Sequence, residues 1–253
     1  MTTVGLLYPG HAQDDFPRIE ILLDTDVRLP LIAPAPGEDA LPPDVLRERG
    51  APGSIAEGIE ELRLAGAEAL LWASTGESFG YGWEGAHEQA AALAREAGLP
   101  ASSTSIGFAH AVGELGARRV AVAAPYPEEV TGCFAEFLAS AGVEVVAAAS
   151  VAAGSSADAG AWEPERVKRL ALEADSPDAD AVLVPGTSVH TAAYVPELEE
   201  ALGKPVLTAN QVTVWEGLRL TDRRIWAPAL GALFATREPA PGVQEPKGIE
   251  VRE

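Results

Sequence analysis

Two stretches decide how this chain is read. One is Ala69-Leu70-Leu71-Trp72-Ala73 followed by Ser74-Thr75-Gly76-Glu77-Ser78. The other is Ala181-Val182-Leu183-Val184 followed by Pro185-Gly186-Thr187-Ser188-Val189-His190. In each, a short apolar run gives way to a loop rich in glycine and hydroxyls. A continuous apolar run of this length reads as a strand buried on both faces of a parallel sheet. Strand, polar loop and helix in succession present backbone N–H groups and hydroxyls to an anionic ligand. One such loop in each half of the chain predicts a single cleft with two facing walls.

Outward from these loops, apolar runs alternate with amphipathic stretches. Strands are predicted at 4–8, 27–33, 69–73, 101–104, 120–124, 143–149, 181–184 and 206–208. Helices are predicted at about 44–65, 84–97, 106–115, 128–141, 164–174, 192–202 and 212–218. Gly66, Gly98, Gly116, Gly142 and Gly203 stand where left-handed helix caps are needed. The alternation argues for an α/β fold with parallel sheet. The chain also reads as duplicated, one half running from Val4 through the Ser74 loop and the other from about Arg118 through the Gly186 loop. Ala35-Pro36-Gly37-Glu38-Asp39 reads as a loop, and 238–253, rich in proline and charge without periodicity, as a loose tail.

The chain has 253 residues, 47% of them apolar, enough for one large or two small domains with a full core. A single cysteine, Cys133, excludes an internal disulfide and a cysteine-rich zinc site. The net charge of -20 argues against nucleic acid and anionic membranes, whose phosphates need a basic patch. It leaves an anionic small molecule open, since local N–H and hydroxyl groups can hold one. The N-terminus lacks a basic segment and a long apolar run, and no stretch is long and apolar enough to span a bilayer. The expectation is a cytoplasmic protein.

Further residues carry a family resemblance. The run Leu115-Gly116-Ala117-Arg118-Arg119-Val120-Ala121-Val122-Ala123, followed by Pro125-Tyr126, resembles the second half of arylmalonate decarboxylases and maleate cis–trans isomerases. So do Pro177-Asp178-Ala179-Asp180-Ala181-Val182-Leu183-Val184, Val195-Pro196-Glu197-Leu198-Glu199, Gly203-Lys204-Pro205-Val206 and Trp215. Ser74-Thr75-Gly76-Glu77-Ser78-Phe79 resembles their first active-site loop. The resemblance extends over most of residues 1–235 and implies the aspartate/glutamate racemase superfamily. That implies two similar α/β lobes, each a small parallel sheet flanked by helices, with the active site between them. The last helix would cross back, giving a first lobe of 1–115 plus 212–237 and a second of 116–211. The resemblance further implies no cofactor, no metal, and stabilisation of an enolate or covalent adduct of a small carboxylate, with one or two active-site cysteines.

This chain departs at the cysteines. Their positions fall at Ser74 and Gly186, neither of which carries sulfur. A serine hydroxyl is a weak acid and nucleophile without an activating base. Paired-thiol racemisation and isomerisation through a cysteine adduct are thereby excluded.

Thr75, Gly76, Tyr126 and Thr187 match the family's carboxylate or enediolate pocket. Neutral donors aimed at developing negative charge stabilise it without reorganisation; the competing reading is helix capping. Ser74, Gly186, Ser188 and His11 complete the expected substrate-binding set, His11 following the first strand. Glu77, in a partly apolar pocket, would have a raised pKa and exchange protons near neutrality. His190, expected in the first turn of a helix, could supply a proton in place of a thiol, and Glu77 and His190 could face each other across the cleft. His87, His110 and Cys133 read as structural, and core packing is the expected role of at least two of Trp72, Trp83 and Trp215. The leading expectation is a cofactor-independent decarboxylase-like lyase, with isomerase ranked below it, acting on a small carboxylate. The alternatives are a non-catalytic carboxylate-binding or regulatory protein, or hydratase or cyclase chemistry in the same pocket. A homo-oligomer is compatible with the sequence.

Overall fold

The computed structural model describes residues 1–10, 13–33 and 58–236. His11, the 35–39 loop, most of the predicted helix 44–65 and the 238–253 tail lie outside the described residues.

The elements run β1 (Thr2–Leu7), α1 (Asp15–Leu23), β2 (Val27–Arg28), β3 (Leu31–Ile32), α2 (Ile59–Leu64), β4 (Ala69–Trp72), α3 (Gly76–Phe79), α4 (Gly82–Ala97), β5 (Ala101–Ser103) and α5 (Thr104–Glu114). They continue with β6 (Arg119–Ala124), α6 (Glu128–Ser140), β7 (Glu144–Ser150), α7 (Ser156–Gly160), α8 (Pro164–Ala174), β8 (Ala181–Val184), α9 (Val195–Leu202), β9 (Val206–Thr208) and α10 (Ala209–Leu220). The strands form two parallel sheets. The first has the order β2-β1-β4-β5, with β3 also on β1; the second has the order β7-β6-β8-β9. β1 lies between the pair β2 and β3 on one side and β4 on the other, as β6 lies between β7 and β8, so the two halves share one topology.

Alternation along the strands explains the layers. Val4 and Leu6 of β1, Leu71 of β4, Val120 and Val122 of β6, and Leu183 of β8 join one core shared by both halves. Leu7, Leu70 and Trp72 point to the other face of the first sheet, where they meet Leu62 and Leu93. Ala121, Val182 and Val184 point to the other face of the second, against Leu170, Ala171 and Trp162. Strands apolar at every position are what a sheet covered on both faces requires.

The helix caps behave as expected: Gly98 and Gly203 close α4 and α9 in left-handed conformation, both at φ 66°. Three expectations change. The strand expected over 27–33 is two short pieces, because Pro30 has no N–H to donate and the Leu29 N–H turns to the Glu20 carboxylate. The helix expected from 192 starts at Val195, with Pro196 in its first turn, so His190 stands ahead of it, outside the helix. And α1 carries a stripe of Phe16, Ile19 and Leu23 that the sequence reading passed over.

Helix α10 follows the last strand of the second sheet but packs on the first. Gly217 lies so close to β1 that a Cβ there would stand 2.3 Å from Val4 Cγ1. Buried Glu216 fixes the contact, accepting from Ser102 Oγ at 2.7 Å, His110 Nδ1 at 3.1 Å and Arg219 Nε at 2.7 Å. No described helix is long and apolar enough to cross a membrane.

Candidate functional site

Parallel strands bring their carboxyl ends to one side, and the loops leaving four of them meet there. Pro9 and Gly10 follow β1, Ser74 to Glu77 follow β4, Pro125 and Tyr126 follow β6, and Gly186 to Val189 follow β8. They line a cleft of about 630 Å³, counting its open mouth. Its place at the strand ends is where open α/β sheets bind ligands.

The first loop leaves β4 and turns at once into α3. Ser74, Thr75, Glu77 and Ser78 are all buried. Ser74 Oγ accepts from the Glu77 N–H at 3.4 Å, and the Thr75 carbonyl accepts from Ser105 Oγ at 2.7 Å. Ser78 pairs with Ser103 at 2.7 Å, away from the cleft. Gln89 Nε2 donates to the Glu77 carbonyl at 3.1 Å, so the turn is tied to both following helices.

The second loop turns on Gly186, at φ +100°, a conformation that favours glycine. A Cβ there would stand 2.6 Å from Pro125 Cγ and 3.5 Å from the Tyr126 hydroxyl. Its N–H donates to Thr75 Oγ1 at 3.3 Å, and the Thr187 carbonyl accepts from the Tyr8 hydroxyl at 2.8 Å. Tyr126 stands between the two loops. Its ring meets Phe79 edge-on at 6.0 Å, and Phe79 packs on Phe134 at 5.3 Å, so an aromatic chain from the core fixes the phenol. Burial pushes its hydroxyl well above the usual phenol range; a hydrogen bond with Thr75 opposes this and the charge of Glu77 adds to it. Tyr126 is therefore a neutral donor throughout the physiological range.

Ser74, Thr75, Gly76, Glu77, Tyr126, Gly186, Thr187 and Ser188 all line the cleft, and His11 lies outside the described residues. His190 is not among the lining residues; its Nδ1 lies 3.7 Å from Asp15 Oδ1, and the structure does not set it opposite Glu77. Cys133 packs, half-buried, on the shared core, as do Trp83 and Trp215, and Trp72 lies on the far face of the first sheet. His110 is held by Glu216, and His87 Nδ1 lies 2.9 Å from the Trp83 carbonyl oxygen.

The sequence reading missed a third wall. Ala153 and Ser155, between β7 and α7, and Ser156 and Ala159, in α7 itself, also line the cleft. The signal was present: Gly154-Ser155-Ser156 also follows a strand and opens a helix, where Ser155 Oγ caps the Asp158 N–H at 3.0 Å. Asp15 was missed as well, because its partners lie far away in sequence. Among the described lining residues there is no Lys, Arg or His, so an anion entering the cleft meets hydroxyls and backbone N–H groups, with Glu77 as the acidic neighbour. The arrangement is suited to stabilising charge that develops on an oxygen.

Comparison with known proteins agrees with this architecture. The arylmalonate decarboxylase family model matches residues 50–234. The chain is 30% identical to arylmalonate decarboxylase of Bordetella bronchiseptica over 190 residues, 72% of this chain and 77% of that one. It is 26% identical to maleate isomerase of Geobacillus stearothermophilus over 137 residues, a match spanning 54% of this chain and only 55% of the relative's length. In three dimensions it resembles a Nocardia farcinica maleate cis–trans isomerase solved with a covalently bound succinylcysteine intermediate. The TM-score is 0.84 at 18% identity, covering 94% of this chain and 99% of that one. At that identity the likeness speaks for the fold alone.

Proposed function

The chain belongs to the arylmalonate decarboxylase family, and on that premise we propose that it is a lyase that decarboxylates a small organic acid. The single observation that carries this reading is the meeting of the Thr75 and Tyr126 hydroxyls in one cleft, with the Gly186 N–H donating to Thr75 Oγ1 so that the Thr75 O–H can turn to a ligand. In a malonate-type substrate the bond between the central carbon and one carboxylate breaks and carbon dioxide leaves. The electron pair passes onto the remaining carboxylate as an enediolate. Neutral donors already in place lower the energy of that charge as it forms. A proton from an acid then reaches the carbon, and solvent restores the acid.

Glu77 is our choice for that acid, because it lines the cleft beside Thr75 whereas His190 lies against Asp15. The step needs no thiol, consistent with Ser74 and Gly186 at the positions where the family resemblance puts cysteines. The same requirement places isomerisation second, since a nucleophile that adds to an alkene is missing from both loops. Ser74, Gly76, Thr187 and Ser188 would complete the carboxylate pocket.

The same two substitutions, with His190 outside the cleft lining, favour a second reading: a carboxylate-binding protein without turnover. One experiment separates the two. Substituted malonates and maleate are offered to the protein, with melting temperature and carbon dioxide release followed together. A ligand selective for the folded state raises the melting temperature. Stabilisation with carbon dioxide release supports the lyase, and stabilisation without turnover supports the binding protein. No response to any mono- or dicarboxylate rejects both.

A further inference from the structure

Asp15 stands in the first turn of α1 and is 3% exposed. Its Oδ2 accepts from the Thr191 N–H at 2.9 Å, from Asn210 Nδ2 at 2.9 Å and, at longer range, from the Ala192 N–H at 3.5 Å. Its other oxygen faces His190 Nδ1 at 3.7 Å. Every one of these partners lies in the second loop, just beyond it, or at the start of α10. A buried carboxylate is tolerated only where donors surround it, and hydrogen bonds to a charged acceptor are about twice as strong as neutral ones.

The effect falls on the far wall of the cleft. Three residues of the first half hold successive points of the second loop: Thr75 at the Gly186 N–H, Tyr8 at the Thr187 carbonyl, and Asp15 at the Thr191 and Ala192 N–H groups. Among the lining residues, Thr187 is itself the second tether, and Ser188 and Val189 lie between it and the third. Asp15 makes no appearance in the cleft itself.

We infer that Asp15 is a positioning residue for the second cleft loop: its buried carboxylate anchors the backbone at 191–192 to α1 and so fixes where Thr187 and Ser188 stand against a bound carboxylate. The part of this inference that concerns ligand rests on the carboxylate-binding cleft proposed above; the anchoring of the backbone does not.

The test uses the full chain and two variants. Asp15→Asn keeps the shape but removes the charge and turns a donor toward donors. Glu199→Gln is the control: Glu199 accepts from the Val206 and Ala232 N–H groups, away from the cleft, so its loss destabilises the fold elsewhere. Backbone amide exchange over 186–192 is measured together with the affinity for malonate and maleate, well below the melting temperature of each variant. Asp15→Asn is expected to speed exchange at 191–192 at least tenfold and to weaken the carboxylates roughly tenfold or more. Glu199→Gln is expected to melt earlier with both readouts at wild-type values. Wild-type exchange and affinity in Asp15→Asn would overturn the inference, and so would an equal loss of affinity in Glu199→Gln. If Asp15→Asn does not fold, the wild-type amides decide: protected amides at Thr191 and Ala192 support the anchor, and exchange as fast as in exposed loops rejects it. If wild type binds no carboxylate, the proposed function fails while the exchange arm still judges the anchor.

Discussion

The Gly186 N–H donates to Thr75 Oγ1 at 3.3 Å, joining two loops that are 111 residues apart in the chain. This contact is where the first and second halves meet inside the cleft. It also bears on the missing thiols, because the backbone that makes it leaves no room for a side chain at 186.

A thiol placed at the second position is therefore expected to fail. Gly186→Cys combines a φ of +100° with a Cβ 2.6 Å from Pro125 Cγ. Left-handed strain and overpacking together should cost on the order of 2–4 kcal/mol. Ser74→Cys, which changes one atom at the first loop, should keep near wild-type stability. Urea unfolding of the two variants measures the difference. Equal stability would mean that the second loop relaxes freely and accepts a side chain at 186.

Thr75 and Tyr126 are placed to act on the transition state. If they stabilise charge that exists only in the transition state, Thr75→Ala and Tyr126→Phe should lower kcat about 10²-fold or more while leaving the Kd for a product-like monocarboxylate within a few-fold. Because burial keeps the Tyr126 hydroxyl protonated, Tyr126→Phe should leave the shape of the pH profile unchanged. A change confined to KM would instead place both residues in uniform ground-state binding.

Much of this architecture was legible in the sequence because both sheets are covered on both faces. Runs such as Ala69–Trp72 and Ala181–Val184 are apolar throughout, and glycines such as Gly98 and Gly203 mark helix ends. The two cleft loops were legible for the same reason, since they directly follow those runs. What escaped depends on distance or on one-residue chemistry. Asp15 meets the Thr191 N–H across 176 residues, and no local pattern encodes that pairing. Pro30 divides a strand through the absence of a single hydrogen. The aim of His190 depends on where α9 starts, a boundary set by the turn before Val195 rather than by periodicity. The wall at Ala153 to Ala159 escaped because β7, Glu144–Ser150, is only partly buried and alanine-rich, so its loop did not stand out.

Glu216 gives a prediction about stability. Burial alone would raise its pKa, but hydrogen bonds from Arg219, His110 and Ser102 outweigh it and hold the carboxylate below its ordinary value. A group depressed in the folded state contributes stability above its unfolded pKa, about 4.3, and loses that contribution as pH falls through the folded value. Glu216→Gln should therefore lower stability near neutrality by on the order of 2 kcal/mol and make the remaining stability less sensitive to acid below about pH 4. Unfolding curves at pH 7 and pH 3.5 test both halves of the statement. An unchanged acid sensitivity would show that Glu216 is not a principal source of it.

Cys133 should be dispensable. It packs half-buried on the shared core and is not among the lining residues. Cys133→Ser should bind carboxylates and turn over as wild type does, within a factor of about two, with at most a modest loss of stability. Loss of turnover in a folded Cys133→Ser protein would reinstate a thiol mechanism.

The source of the proton is read from the pH dependence of turnover. A general acid must hold its proton, so kcat/KM falls on the alkaline side as the acid ionises. Glu77 lines the cleft, and its backbone is fixed at both ends, by Ser74 through its N–H and by Gln89 through its carbonyl. His190 is turned to Asp15, and its carbonyl is held by the Tyr194 hydroxyl. Glu77→Gln should therefore cut turnover by about 10²–10⁴-fold and abolish the alkaline limb, while His190→Asn should keep both the limb and most of the rate. The opposite pattern would make His190 the donor and would require the second loop to swing it into the cleft, breaking its contact with Asp15. If both variants keep full activity and an unchanged profile, the proton comes from elsewhere, with His11 the next residue to change. If the variants bind carboxylates normally and wild type turns over none of them, the cleft is a binding site and the decarboxylase reading falls.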